Sequence, residues 1–258
     1  MGKRLGQYFL KDKKILAHIA REALAHPTPC VIEVGPGHGE LTDALLESGA
    51  TKVVAIEKDT ALVSLLRTKY GSDRRVEIVE GDVRILLPTI TTPCVIAGNI
   101  PYYLTGYLLR LLGEFTANNR SLITKTVLLV QKEVAERASA EAPRMNLLAA
   151  TLQGWARSHI AFTVPRSAFA PPPKVNSALL VLTPTEAVPR EHLSRYFQIM
   201  KVLFRHPRKT LVNNLASGFS LTKERAGTLV HTLGFKENAR AAELTAEHAK
   251  TLAKMMYN

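Results

Sequence analysis

Residues 30–42 read CVIEVGPGHGELT, a short apolar run followed by a glycine-rich turn. The run at 30–34 is typical of a buried strand, and the glycines at 35, 37 and 39 end it. The residues after the turn predict a helix. Glycine lets the backbone come close to a ligand that a Cβ atom would exclude. The stretch therefore predicts a strand, a ligand-binding turn and a helix, in that order.

Short apolar runs recur along the chain and alternate with helical periodicity. We expect further strands at 52–56, 76–79, 94–97 and 126–130, and helices at 12–25, 41–46, 61–70 and 102–112. Two late strands are expected at 160–164 and 175–182, on either side of a proline-rich stretch at 165–173. This alternation is typical of a parallel α/β sheet that is covered by helices on both faces.

The pattern changes after residue 182. Pro184 and Pro189 flank an expected linker, and no strand periodicity follows it. Helices are expected at 192–204, 208–215, 223–233 and 241–256. We therefore predict two domains, an α/β domain at 1–185 and a small all-helical domain at 186–258.

The chain has 258 residues and a net charge of +12, from 34 Lys and Arg against 22 Asp and Glu. This charge is concentrated at the two ends: residues 1–21 carry +5, residues 22–185 only +1, and residues 186–258 carry +6. A nearly neutral body with two basic ends is typical of a protein that contacts a polyanion. Composition alone fits a merely soluble basic surface equally well, so the motifs must decide.

Several classes of protein are disfavoured. No apolar run approaches the ~20 residues of a membrane span, and the start of the chain lacks a signal-peptide core, so we expect no membrane association. Cys30 and Cys94 each lie within an apolar run, which argues against a disulfide scaffold and for a reducing cytoplasm. The eight histidines lack metal-binding spacing, so we expect no metal site.

The turn at 35–39 departs from the dinucleotide-binding pattern G-x-G-x-x-G, because the final position is Glu40. An acidic residue there is also a poor neighbour for a pyrophosphate. S-adenosylmethionine has no phosphate, so the turn suits that cofactor. Glu57 ends the next strand, where a carboxylate accepts from ribose hydroxyls, and Asp82 follows the third, where it accepts from an adenine amine. A tight turn with solvated acids is the simpler alternative, but three such features in order favour nucleoside binding.

The segment 99–103, Asn-Ile-Pro-Tyr-Tyr, follows the fourth predicted strand. An exocyclic adenine amine is a weak nucleophile, and its attack on a methyl group requires acceptors for both N–H groups. The side-chain oxygen of Asn99 and the carbonyl of Ile100 supply them, and Pro101 restricts Ile100 to an extended conformation. Tyr102 offers a ring on which an extruded base can stack. A proline-terminated strand with two interfacial tyrosines is the alternative.

Together these motifs resemble the rRNA adenine N6,N6-dimethyltransferase family, most closely its small-subunit branch, which modifies two adjacent adenosines. The similar stretches follow the family's order: GQYFL (6–10), EVGPGHGELT (33–42), NIPYY (99–103), VQKEVAER (130–137), FAPPPKVNSA (169–178) and LFRHPRKTL (203–211). The resemblance implies a Rossmann-like, S-adenosylmethionine-dependent methyltransferase domain at 1–185. It also implies that the helical domain at 186–258 contacts rRNA.

The resemblance implies roles for individual residues. Residues 1–11 help to close the cofactor site, and Phe169 holds the target base opposite Tyr102. The implied cofactor contacts are Tyr8, Leu10, Glu33, Gly35, Gly37, Glu57, Asp82 and Asn99. The implied catalytic residues, which contact the target base and its amine, are Asn99, Ile100, Pro101, Tyr102 and Phe169.

The sequence departs from the family's pattern at two places. Tyr8 stands where the family usually has Asn or His, which puts a side-chain contact to the cofactor carboxylate in question but not a backbone contact from Leu10. Residues 140–148, AEAPRMNLL, replace a Gly-Ser-Lys loop followed by Tyr-Gly, which bears on access to the target base and on RNA preference. For Lys174 and Ser177 a strand-edge turn and an active-site role are both open.

Arg205, Arg208 and Lys209 lie close together in the sequence and predict a patch that contacts phosphates. A solvated helix face is the alternative for this cluster. We expect the partner to be small-subunit rRNA in the immature small ribosomal subunit, and the protein to act as a monomer in the cytoplasm.

The leading hypothesis is dimethylation of N6 of two adjacent adenosines in small-subunit (16S) rRNA, with a role in small-subunit biogenesis. One alternative is the large-subunit rRNA dimethylase that confers macrolide resistance. Pro36, the triple proline at 171–173 and the run RKTLVNNL at 208–215 favour the small-subunit branch. Another alternative is a ribosome-assembly factor that binds RNA without methylating it. The intact segment 99–103 and Glu57 argue against that alternative.

Overall fold

The computed structural model describes residues 8–119, 122–185, 188 and 190–256. Residues 1–7 of the predicted closing segment, and Pro189 of the expected linker, lie outside them. The described residues form nine strands: β1 (Phe9–Leu10), β2 (Val31–Val34), β3 (Val53–Glu57), β4 (Val76–Glu80), β5 (Cys94–Asn99), β6 (Ile123–Gln131), β7 (Ala156–Val164), β8 (Phe169–Ala170) and β9 (Ser177–Pro184).

The same residues form eleven α-helices: α1 (Lys13–Ala23), α2 (Glu40–Glu47), α3 (Thr60–Tyr70), α4 (Val83–Leu86), α5 (Thr105–Asn118), α6 (Lys132–Ala138), α7 (Leu147–Gln153), α8 (Arg190–Leu203), α9 (Leu211–Phe219), α10 (Lys223–Thr232) and α11 (Ala246–Met255). Short 3₁₀ helices lie at Leu87–Thr89, Arg166–Ala168 and Ala241–Glu243.

Seven strands form one sheet in the order β4-β3-β2-β5-β6-β9-β7. The strands from β4 to β6 in this order run parallel, whereas β9 is antiparallel to β6. All four residues of β2 are buried, as expected for a strand with both faces covered. The predicted α/β, Rossmann-like fold class is therefore confirmed, with an antiparallel strand at one side of the parallel ones.

The parallel strands bring the predicted motifs to one edge of the sheet. β2 ends at the glycine-rich turn, β3 ends at Glu57, β5 ends at Asn99, and Asp82 follows β4. The registers pair Glu57 with Glu80 and Glu33 with Ala97, so the strands end at similar heights. The carboxyl ends of adjacent parallel strands are where ligands bind in open α/β sheets.

Helix α1 covers one face of the sheet near this edge. It begins after Asp12, because the carboxylate of Asp12 accepts from the amides of Lys14 and Ile15. Its apolar stripe includes Leu16 and Ile19, which are buried in the core with residues of the central strands. Burial of each of these two side chains contributes roughly 1.5–3 kcal/mol.

The two-residue strands β1 and β8 form a second, antiparallel sheet, which the sequence does not predict. Strands of two residues carry no recognisable periodicity, because alternation needs at least four positions to be seen. This small sheet pairs the segment before α1 with the proline-rich stretch that follows β7.

By their contacts the residues group into two compact units. The first contains the residues through Ala135 together with His159–Pro184, and the second contains Glu136–Ser158 together with the described residues from Thr185 onward. The predicted border at 185–186 lies beside Thr185. The prediction, however, leaves 136–158 in the first domain, whereas the structure groups this segment with the C-terminal helices.

Two hydrogen bonds illustrate why this segment joins the second unit. The amide of Met145 donates to the carbonyl of Ala242 at 3.0 Å. The hydroxyl of Tyr196 in α8 donates to the carbonyl of Ala150 in α7 at 2.6 Å. Helix α7 has only seven residues, too few to show a helical period in the sequence, so its packing against the predicted helix at 192–204 was not predictable.

The helix expected at 208–215 begins three residues later, at Leu211. The side chain of Thr210 accepts from the amide of Asn213 and caps the helix. Arg208 and Lys209 therefore lie in a turn between α8 and α9, and the expectation of a helical position for them is wrong.

Candidate active site

A cavity of about 710 Å³ opens at the carboxyl edge of the parallel strands. The loops after β2, β3, β4 and β5 line it, together with residues of β1 and β8. All twelve residues that the sequence predicts for the cofactor and the target base line this cavity. The structure therefore brings the predicted site residues together in one place.

The glycine-rich turn forms one wall of the cavity. Gly35 has a φ of +68°, and a Cβ atom on it would meet no atom within 4 Å, so a side chain there would fill open space. Gly37 has a φ of +63°, and its Cβ would come within 2.9 Å of the Phe9 ring. Both conformations favour glycine. This bare backbone wall fits a nucleoside-containing ligand that approaches the main chain closely.

Glu57, at the end of β3, presents a fixed carboxylate to the cavity and is only 7% exposed. Its Oε1 accepts from the amides of Lys58 and Asp59 at 2.8 and 2.9 Å. Its Oε2 accepts from the amide of Gly37 at 3.4 Å, a long bond. Because a carboxylate oxygen can accept twice, Oε2 retains capacity to accept from the hydroxyls of a bound ribose.

Asp82, after β4, is engaged on both oxygens. Its Oδ1 accepts from the amide and Nε of Arg84 at 3.0 and 2.8 Å. Its Oδ2 accepts from Nη2 of Arg84 at 2.5 Å and from Nζ of Lys58 at 3.1 Å. These partners, Arg84 above all, hold the pKa of Asp82 well below its usual range. The carboxylate is ionised, but an adenine amine has to displace one of these four donors before Asp82 can accept from it.

Glu33, in β2, is a buried acid in the wall of the cavity and is 1% exposed. Burial raises the pKa of Glu33 to about 8, against the opposing effect of the hydrogen bond that Thr42 Oγ1 donates to it at 2.5 Å. The carboxyl is therefore largely neutral at pH 7. An incoming cation favours its ionised form, because a nearby positive charge lowers a carboxyl pKa.

The small β1–β8 sheet ties the segment before α1 to the far side of the cavity. Leu10 pairs with Phe169 in antiparallel register. The amide of Lys11 donates to the carbonyl of Ala168 at 2.9 Å, and the side chain of Lys11 forms an ion pair with Glu40 at the start of α2. Leu10 and Phe169, predicted for the cofactor and for the base respectively, are thus neighbours.

Asn99 ends β5, and its side chain is oriented by the main chain of Tyr8. The Nδ2 atom of Asn99 donates to the carbonyl oxygen of Tyr8 at 2.7 Å. Because this bond uses the nitrogen, the amide oxygen is left as an acceptor for a ligand. The amide of Ile100 donates to the carbonyl of Leu129 at 3.1 Å and anchors the start of the following segment to β6.

Tyr102 is held by contacts on two sides. Its hydroxyl lies 3.2 Å from Oγ of Ser177, which is 1% exposed at the start of β9. Its ring centre lies 5.4 Å from that of Tyr8, with the planes at 41°. Burial raises the pKa of Tyr102, with the Ser177 hydrogen bond opposing, so the hydroxyl stays neutral at pH 7. Ser177 thus lies beside a site residue, whereas Lys174 is exposed.

Arg205, Arg208 and Lys209 are exposed in the turn between α8 and α9 of the second unit. Asn214 in α9, 1% exposed, donates to the carbonyls of His206 and Lys209 at 3.1 and 3.4 Å. This buried amide therefore fixes the backbone of the turn that carries the three cations. In the sequence, Asn214 is a polar residue on an otherwise apolar helix face, and this is the signal that would have marked it as a buried structural residue.

Arg84 is a site residue that the sequence did not predict, and Phe9 was predicted only as part of the closing segment 1–11. Phe9 packs on the glycine turn at Gly37, and nothing in the sequence marks these distant positions as neighbours. Arg84 binds Asp82, and here a signal exists. An arginine two positions after a helix-capping Asp is well placed to pair with it.

Residues 1–257 match the ribosomal RNA adenine dimethylase family. The chain belongs to this family. The ribosomal RNA small subunit methyltransferase A of Thermosynechococcus vestitus is 38% identical over 259 residues, covering 98% of this chain and 96% of that protein. The enzyme of the same name from Dehalococcoides mccartyi strain 195 is 34% identical, covering 97% and 86% respectively.

Two solved structures resemble this rRNA adenine dimethylase over almost its full length. The 23S rRNA methyltransferase ErmE has a TM-score of 0.75 and 25% identity, covering 97% of this chain and 100% of its own. A dimethyladenosine transferase from Plasmodium falciparum has a TM-score of 0.78 and 24% identity, covering 96% and 97%. The likeness to both agrees with the Rossmann-like fold class.

Membership in the family confirms two predictions. The chain is an rRNA adenine dimethyltransferase, and its methyl donor is S-adenosylmethionine. Within the part of the chain that the structure describes, no helix is long and apolar enough to cross a membrane. The same residues contain no group of three or more His, Cys, Asp or Glu that could hold a metal ion.

Proposed function

We propose that this chain dimethylates N6 of two adjacent adenosines in small-subunit rRNA, with S-adenosylmethionine as methyl donor. The observation that carries the proposal is the 2.7 Å hydrogen bond from Asn99 Nδ2 to the Tyr8 carbonyl. It reserves the amide oxygen of Asn99 for the target amine. That oxygen belongs to the same cavity as the glycine turn and Glu57.

The cofactor supplies an electrophilic methyl group, and the residues of the cavity hold it. The bare backbone at Gly35 and Gly37 allows close approach, and Glu57 accepts from the ribose hydroxyls. Asp82 accepts from the adenine amine after one of the hydrogen bonds that Arg84 donates to its carboxylate has broken.

The remaining cofactor contacts come from the main chain of Leu10 and the carboxyl of Glu33. Glu33 is largely neutral at pH 7 in the unliganded cavity, and the positive charge of a bound cofactor would lower its pKa. Tyr8 acts through its carbonyl, which orients Asn99, so its departure from the family's usual Asn or His leaves this contact intact.

Asn99 and Ile100 act on the amine of the target adenosine. Its lone pair is delocalised into the ring, and acceptors for both N–H groups favour the more tetrahedral geometry in which nitrogen can attack. Pro101 fixes the conformation of Ile100, and Tyr102 and Phe169 hold the extruded base by stacking. Attack by the nitrogen would form the N–C bond as the S–CH3 bond of the sulfonium breaks, which leaves a neutral thioether and moves the positive charge to the nitrogen. The proton of this charged nitrogen is acidic and would pass to water, so no strong base is required.

The second unit supplies the wider contact with RNA. Arg205, Arg208 and Lys209, on the turn that Asn214 fixes, contact phosphates of the rRNA. We further propose that the protein acts as a monomer, in the cytoplasm, on the immature small ribosomal subunit. Each of the two units would then contact RNA of the same particle.

Sequence identity to the relatives favours small-subunit rRNA over large-subunit rRNA as the substrate. The two small-subunit methyltransferases named above are 38% and 34% identical to this chain, whereas the 23S rRNA methyltransferase ErmE is 25% identical. A role in assembly without catalysis is disfavoured because the cavity retains Asn99, Tyr102 and Glu57 in contact with their partners.

The test is to incubate the purified protein and labelled S-adenosylmethionine with small and large ribosomal subunits from a strain that lacks the modification. We expect label in small subunits only, and N6,N6-dimethyladenosine on nucleoside analysis of their RNA. Label confined to the large subunit would contradict the small-subunit assignment. Cofactor binding without label in either particle would support the assembly-factor alternative instead.

A further inference from the structure

An exposed aromatic and basic surface lies at the mouth of the cavity. Among the described residues six large apolar or aromatic side chains are exposed, and two of them line the cavity: Tyr103, which is 77% exposed, and Tyr107, which is 39% exposed. Clustered exposed apolar surface of this kind marks interaction sites more often than scattered single residues do.

Two arginines flank the Tyr107 ring. The guanidinium carbon of Arg110 lies 5.1 Å from the ring centre and that of Arg84 lies 5.8 Å from it. These cation–π contacts place both guanidinium groups beside an aromatic face, while Arg84 also binds Asp82 and Nε of Arg110 lies 3.8 Å from Oε1 of Glu114. We call Arg84, Tyr103, Tyr107 and Arg110 the rim patch.

The chemistry of the rim patch suits a single-stranded nucleotide. A base needs an aromatic face to stack on, and its phosphate needs a cation; the patch offers both. Tyr103 is too exposed to enclose a buried ligand. The target base, moreover, already has two rings to stack on, those of Tyr102 and Phe169. Extrusion of the target base leaves the neighbouring base with one unstacked face. The exposed ring of Tyr103 is suited to stack on that face.

We propose that the rim patch binds the nucleotide next to the target adenosine, with its base stacked on Tyr103 and its phosphate beside Arg84 and Arg110. This inference rests on the proposed function, because it requires RNA at the cavity mouth. It assigns part of the RNA contact to the catalytic unit, in addition to the turn at 205–209.

The test uses unmodified RNA fragments that contain the two target adenosines. Each fragment carries 2-aminopurine, a fluorescent base, on either the 5′ or the 3′ side of these adenosines. In the wild-type complex we expect one of the two probes to be quenched by stacking on Tyr103. Tyr103→Ala should leave that probe bright and weaken RNA binding by about 10-fold, the usual loss for one stacked base. Tyr103→Phe keeps the ring and should behave as the wild type.

The cations of the patch are tested by salt dependence. Arg110→Gln should reduce the slope of log K against log salt by about 1, since the variant neutralises one phosphate fewer. Arg75→Gln, which removes an exposed arginine elsewhere in the first unit, should leave the slope unchanged. Leu65→Ala, which removes an exposed apolar side chain from α3, should leave both the probe and the RNA affinity unchanged.

The outcomes separate this inference from the proposed function. If wild-type protein methylates the RNA but Tyr103→Ala alters neither probe nor affinity, only the rim patch assignment fails. If Tyr103→Ala instead weakens S-adenosylmethionine binding, the patch belongs to the cofactor site and the inference is overturned. If wild-type protein methylates no small-subunit RNA, the proposed function itself fails.

Discussion

Asn99 and Tyr8, far apart in the sequence, are joined by a 2.7 Å hydrogen bond from the side chain of one to the carbonyl of the other. The bond links the end of β5 to the segment that enters β1. Because the acceptor is a main-chain atom, the contact does not depend on which side chain stands at position 8. It does depend on the β1–β8 pairing, which places that segment over the cavity. Closure of the site and orientation of the amide are therefore coupled.

The hydroxyl of Tyr102 and Ser177 should act as a pair. Ser177→Ala removes the partner of the Tyr102 hydroxyl, and we expect kcat/KM for RNA to fall by roughly 3- to 10-fold, about 1 kcal/mol. Tyr102→Phe should cause a similar loss, and the double variant should lose little more than either single one. A double-mutant cycle on methyl transfer measures this coupling. Fully additive losses would show that the contact has no role in positioning the ring.

Glu57→Gln should weaken cofactor binding. The amide nitrogen that replaces Oε2 is a donor, so it opposes the Gly37 amide and cannot accept from a ribose hydroxyl. We expect a loss in affinity for S-adenosylmethionine of roughly 10- to 100-fold, about 1–3 kcal/mol, measured by calorimetry. Glu77→Gln is the control: this exposed carboxylate on the neighbouring strand β4 pairs with Lys52, and the variant should bind the cofactor normally.

Glu33 predicts a specific pH dependence of stability. Its pKa is raised by burial from 4.5 to about 8, so between these values the folded protein holds a proton that the unfolded chain releases. The contribution of the protonated Glu33 carboxyl to the free energy of unfolding is therefore fully present below about pH 4.5. This contribution is lost as the pH rises through about 8. Glu33→Gln should remove this loss, so the variant gains stability relative to wild type between pH 5 and pH 9.

Thermal unfolding at pH 5, 7 and 9 without cofactor checks the Glu33 prediction. Glu47→Gln, an exposed acid at the end of α2, is the control and should follow the wild-type profile. A Glu33→Gln variant whose difference from wild type is the same at all three pH values would rule out a raised pKa at this site.

The turn between α8 and α9 should contribute to the salt dependence of RNA binding. Neutralising Arg205, Arg208 or Lys209 one at a time to Gln should lower the slope of log K against log salt by about 1 for each phosphate that the wild-type side chain binds. Lys254→Gln, on α11, is a charge-matched control. Unchanged slopes in all three variants would indicate a solvated turn that does not touch RNA.

Much of the site was predictable because its motifs sit at the ends of strongly apolar strands. The runs that became β2, β3 and β5 are short and buried, and each carries its functional residue at or just after its last position, as Glu57 and Asn99 show. In a parallel sheet the carboxyl ends of the strands lie at the same edge. The order of the motifs along the chain was therefore enough to place the functional residues in one cavity.

The remainder depended on contacts that no local pattern reports. Strands β1 and β8 have two residues each, and their pairing follows from the path of the chain around the cavity. The engagement of Asp82 by Arg84 changes an expected free acceptor into an occupied one. The grouping of Glu136–Ser158 with the C-terminal helices rests on distant partners of a seven-residue helix.

The most direct measurement of the central claim compares methyl transfer and cofactor affinity in Asn99→Ala. Loss of the acceptor should lower transfer to small-subunit RNA by roughly 100-fold or more, the usual effect of removing one preset group that stabilises developing charge. The dissociation constant for S-adenosylmethionine should stay within about threefold of wild type, since the ribose and adenine contacts remain. Asn238→Ala, exposed in the second unit, should show wild-type values of both quantities. Near-normal formation of N6,N6-dimethyladenosine by Asn99→Ala would contradict the role of this amide oxygen.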